Sequence, residues 1–172
     1  MLRTFFVAFM LIGLVVVNAY SQNRLLQESD LVYLGAFRGP NYWGGSDCNS
    51  LAYGGGSMAY NHHNDSLFVS SMCNKVTEIT IPTPVKSSDL NSLPRAALLT
   101  PSPHYFEPTE GNRNRLGEGG AAISGSVNNR GLLVFGNKLV GTSKVYYDAS
   151  YQQQLTHYTH SLDLSQPSFA GH

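Results

Sequence analysis

Four of the six histidines fall in two close groups, His62-His63 and His157-x-x-His160, and both spacings invite a metal reading. On a strand, residues three apart point to opposite faces, so His157 and His160 could not hold one ion without a bulge. His62 and His63 stand beside Asn64 and Asp65, a composition that reads as a solvated turn. No metal site is expected. Ser124 precedes a glycine, but the glycine two positions before it that a nucleophile elbow requires is missing. Gly117-Glu-Gly-Gly120 is glycine-rich, yet no helix follows whose amino terminus could cradle a phosphate, so no cofactor is expected. What remains is a binding chemistry. Tyr42 and Trp43 share a turn-rich loop with Asp47, and Glu110 and Glu118 lie in a second long loop. Paired aromatics can stack on a sugar ring, and these three acids are the carboxylates a polar site would use. The alternative is that the aromatics cap the edge of the core and the acids are single surface charges.

Charge excludes some partners. Lysine plus arginine and aspartate plus glutamate balance at 11 each, and charged residues are 13% of the chain, so no net field favours nucleic acid or an anionic membrane. Arg113, Arg115 and Arg130 are interleaved with Glu110 and Glu118, which reads as a solvated loop. The chain opens with Arg3, the apolar run Phe5 to Val17 and the small-residue pattern Val17-Asn18-Ala19, a secretory signal over 1–21. As a helix that run reaches about 20 Å, short of the roughly 30 Å of a bilayer core, so a retained anchor is the weaker alternative. The mature part, 22–172, is expected outside the cytoplasm, extracellular or periplasmic, with no stable membrane insertion after cleavage. In that compartment Cys48 and Cys73 could pair as a disulfide, or remain two separately buried thiols. Asn64-Asp65-Ser66 matches the N-glycosylation pattern.

The elements that must position these residues read as strands. With 42% hydrophobic residues the chain is globular, and no segment after the signal keeps a 3.6-residue period, so the fold is expected to be all-β. Leu31 to Phe37 reads as a strand covered on both faces, Ser57 to Tyr60 as a second, and Leu67-Phe68-Val69 as an inner strand beyond the turn 61–65. Lys75 to Ile81 follows, stopped by Pro82 and Pro84, and Arg95 to Thr100 is a weaker candidate. Tyr53 to Ser71 has a degraded copy at Leu116 to Gly136, aligned without a gap at an offset of 65 residues. The copy predicts a strand at 119–124, a turn at 128–131 and a doubly buried strand at 132–135. Leu139 to Tyr147 and Leu155 to Leu162 then form a long hairpin across the turn Asp148 to Gln152.

A recurrence of this length with three or four strands per unit is the pattern of a β-propeller, with about two blades, 31–100 and 116–166. Two blades do not close a ring, so the domain is expected to be an incomplete, amino-terminal part; a small β-sandwich is the alternative fold. Leu31-Val-Tyr-Leu-Gly-Ala-Phe, Tyr53-Gly-Gly-Gly-Ser-Met-Ala-Tyr-Asn, Asn64-Asp-Ser-Leu-Phe-Val and Val145-Tyr-Tyr-Asp-Ala resemble the start of a family of secreted bacterial propeller-like proteins of unassigned function. That resemblance implies fold and export and brings no catalytic residue with it. The expected function is an exported binding or scaffold module that offers the loops 38–53 and 101–118 to a glycan or an extracellular protein. The alternative is part of an exported hydrolase or lyase built on a propeller.

Overall fold

A computed structural model of the chain describes residues 25–40, 51, 56–71, 75–99 and 106–171. The expected signal segment, Tyr42, Trp43, Asp47, Cys48 and Cys73 therefore lie outside the described residues, and so do Gly54 and Gly55 of the expected first repeat. The chain divides into two units, Met1–Tyr33 and Leu34–His172. In the first, the Asp30 carboxylate accepts from the Gln27 backbone N–H at 2.9 Å across the short turn Glu28–Asp30.

The second unit is all-β. Strands β1 (Met58–Asn61), β2 (Ser66–Ser70) and β3 (Val76–Thr80) form one sheet in that order. Strands β4 (Val127–Phe135), β5 (Lys138–Val145), β6 (His157–Ser161) and β7 (Ala170–Gly171) form the other. All pairings between these strands are antiparallel. Among the described residues no helix is long and apolar enough to cross a membrane.

The middle strand β2 is covered on both faces, as three successive apolar residues predict. Phe68 is fully buried with Ala59, Val76, Leu139 and Leu164, a core that joins the two sheets. Val69 faces the opposite way and packs with Ile79 and Ala96, with Leu67 and Phe37 against them. A third cluster, Leu116, Ile123, Val127 and Val145, closes the far end of the β4–β5 pair.

Within the four-stranded sheet the inward face carries an unusual pairing. Tyr158 lies over Gly141, where a Cβ would come within 2.1 Å of its ring, so no larger residue fits there. The hydroxyl that this ring carries inward must find a partner, and it donates to Asn129 Oδ1 at 2.6 Å. Between Asn129 and Gly131 the β4–β5 register slips by one residue, a β-bulge whose extra residue is Arg130. Side chains on a strand alternate with period two, so the slip exchanges the two faces. Val127 and Asn129 point inward before the bulge, whereas Leu132 and Val134 pack on the core after it.

Three sequence expectations are corrected. Leu31 to Phe37 is not a doubly covered strand: Leu31 to Leu34 are exposed, and pairing is confined to isolated bridges of Ala36 with Val85 and Arg38 with Arg95. An apolar run becomes a strand only where a neighbour offers its ladder, and at 31–34 none of the described residues does. The candidate strand Arg95 to Thr100 is likewise reduced to bridges at Arg95 and Leu98. The second repeat does not reproduce the first hairpin. Its strand at 119–124 is replaced by the short turn Glu118–Gly120, and its turn at 128–131 runs straight through β4. Asn128, Asn129 and Gly131 are turn formers by type, but here they supply a bulge and a buried hydrogen bond. Leu133 and Phe135, expected inside, are exposed.

Candidate functional site

The strands β5 and β6 are joined by 146–156, and this connection builds a groove of about 900 Å³. Two side chains hold it in shape. Asp148 turns the chain by accepting from the backbone N–H groups of Gln152 (Oδ1, 2.9 Å) and Gln153 (Oδ2, 2.8 Å). Such local capture of backbone donors is what an aspartate at a turn does best. The Gln153 amide then stands in for a missing strand: its oxygen accepts from Val145 N–H at 3.0 Å, and its nitrogen donates to the Ser143 and Leu155 carbonyls at 2.8 and 3.2 Å. The backbone of Gln154 and Leu155 is tied to the Leu116 carbonyl, and Tyr146 N–H to that of Ser126.

On this fixed frame three tyrosines stand out of the protein. Tyr146, Tyr147 and Tyr151 line the groove and are 73, 79 and 89% exposed. Burying a tyrosine ring is favourable and leaving it in water is not, so three within six residues form an unsatisfied apolar surface with polar tips. Tyr151 is also held at φ 53°, the left-handed region that costs a side-chain-bearing residue roughly 1–2 kcal/mol. Backbone strain of this kind gathers at functional loops. Arg130, set on the outward face by the bulge, and Lys144 complete the lining.

Of the expected site residues, Glu110 and Glu118 are described. Glu110 is committed to structure: its carboxylate accepts from the backbone N–H groups of Ser168 and Phe169, and His160 Nε2 lies 3.5 Å away. It straps the 106–112 turn to β6 and to the segment leading into β7. Glu118 is exposed at the start of a turn. Neither lines the groove. On β6, His160 is buried and His157 exposed, the opposite facing that strand geometry requires. Among the described residues there is no group of three metal-ligating side chains.

A smaller cavity of about 330 Å³ lies beside the β1–β2 turn and holds two carboxylates, Glu78 and Asp163. Glu78 Oε1 takes donors from Asn61, Asn64 and Ser66, which fastens the turn to β3. The Ser165 hydroxyl and then its backbone N–H hold the Asp163 carboxyl below its ordinary value. Both acids are occupied by the chain itself.

The tyrosine groove was missed by residue-type reasoning, although its signal was present: Tyr146 and Tyr147 end a predicted strand and Tyr151 stands in the predicted turn beside them, where a bulky aromatic has no core to enter. Comparisons with protein-family models, with curated proteins and with solved structures found no match.

Proposed function

We propose that the chain is a secreted glycan-binding module whose ligand lies along the tyrosine groove. The observation that carries this reading is the set of Tyr146, Tyr147 and Tyr151, exposed together on a connection that Asp148 and Gln153 hold rigid. A flat ring with a polar tip offers its face to sugar C–H groups and its hydroxyl to sugar hydroxyls, at low entropic cost because the frame is already formed. Export follows from the signal-like segment before residue 22. The two sheets sharing one core are what two neighbouring blades of a propeller would be, and a propeller-type scaffold is part of the proposal.

The test is a glycan array probed with the mature chain and with the double variant Tyr147→Ala/Tyr151→Ala. The wild type is expected to bind at least one oligosaccharide class, and the double variant to lose about tenfold or more, the effect of removing roughly 1.4 kcal/mol. Binding that survives both substitutions unchanged would remove the groove from the account, and hydrolysis of any arrayed glycoside would replace binding with catalysis.

A further inference from the structure

We infer that the saccharide taken by the groove is acidic, carrying carboxylate or sulfate groups that Arg130 and Lys144 receive; this rests on the glycan-binding reading. The chain as a whole is neutral, with 11 basic and 11 acidic residues, so cations in the groove are not the overflow of a basic protein. Arg130, Lys144 and Asp148 line it together. Asp148 accepts a backbone N–H on each oxygen, Gln152 on one and Gln153 on the other, which ties its charge to the turn. The two cations are exposed, and among the described residues no carboxylate pairs with either. Two uncommitted cations facing one committed anion leave the groove net positive.

The placement of Arg130 supports the same conclusion. It is the extra residue of the β4 bulge, a device that re-aims one side chain out of an otherwise regular ladder. It extends along Gly56, where a Cβ would meet the guanidinium Nη1 at 3.4 Å and the Asn129 carbonyl oxygen at 3.0 Å. A planar guanidinium fits the paired oxygens of a carboxylate or sulfate, and Lys144 adds a point charge from the neighbouring strand.

The experiment is calorimetric titration of the mature chain with oligogalacturonate, with its fully methyl-esterified and therefore neutral counterpart, and with a sulfated galactan oligosaccharide. An anionic saccharide is expected to bind about tenfold or more tighter than the neutral ester, with the difference shrinking as salt rises from about 0.05 to about 0.5 M. The galacturonate and galactan arms tell carboxylate from sulfate. Arg130→Gln, checked for an unchanged melting temperature, is expected to remove most of the preference, and Lys144→Gln part of it. Equal binding of ester and acid, unaltered by Arg130→Gln but lost in Tyr147→Ala, would overturn the acidic preference and leave the glycan groove standing. No binding of any of the three saccharides would overturn both.

Discussion

Tyr158 and Gly141 depend on each other. A Cβ at 141 would fall inside the Tyr158 ring, so Gly141→Ala is expected to force the ring out of place and destabilise the fold by about 2–3 kcal/mol, read from the urea midpoint. Tyr158→Phe keeps the packing and removes the donor to Asn129, at a cost of about 1 kcal/mol. Burial drives the Tyr158 phenol well above its ordinary value of 10.0. The folded state therefore binds this proton more tightly than the unfolded state. Its contribution to stability is complete below pH 10.0 and is lost as pH climbs beyond it. Alkaline unfolding monitored by tyrosine ionisation should shift to higher pH in Tyr158→Phe, measured relative to each protein's stability at neutral pH; an unchanged midpoint would contradict the assignment. None of this could be read from composition, because a glycine and a tyrosine on neighbouring strands declare their contact only once the register of β5 and β6 is known.

The elements divide according to whether a local pattern decided them. Leu67-Phe68-Val69 announced a strand with two buried faces, and β2 lies in the middle of its sheet with cores on both sides. The β5–β6 hairpin was equally legible from its alternation and its turn residues. The β4 bulge was not. Asn128 to Gly131 has turn chemistry, and what made it a strand was tertiary: Asn129 accepting from Tyr158, and Val127 pairing with Val145. The run at 31–34 failed for the complementary reason, since a strand-like sequence does not supply its own partner. The bulge makes a sharp prediction. Deleting Arg130 removes the extra residue and leaves Asn129 opposite Ser143 and Gly131 opposite Thr142 in a regular ladder, so Leu132 and Val134 stay on the core and stability should change by no more than about 1 kcal/mol. Arg130→Ala, which keeps the bulge, should change stability by no more than about 0.5 kcal/mol. Urea unfolding reads both, and a loss in the deletion variant as large as that of displacing two core side chains would show that Arg130 is not the residue the ladder leaves over.

Across the second unit the two sheets meet on one core centred at Phe68, fully buried between Val76 of its own sheet and Leu139 of the other. Phe68→Ala should cost about 3–5 kcal/mol and lower the stability of both sheets together, giving one transition by far-ultraviolet dichroism and by tyrosine fluorescence. The sequence offered loops 38–53 and 101–118 as binding surfaces, and within the second loop Glu110 is spent on the backbone of Ser168 and Phe169. The groove at 146–156 emerged because Asp148 and Gln153 fold that connection into a rigid platform, a consequence of hydrogen bonds between residues with no catalytic or binding signature of their own. The most direct measurement of the central claim is backbone-amide NMR of the mature chain, titrated with an oligosaccharide that it binds. Shift changes centred on Arg130, Lys144 and residues 146–151 are the predicted result. Changes centred on 38–53 or 101–118, with the tyrosine connection silent, would contradict it.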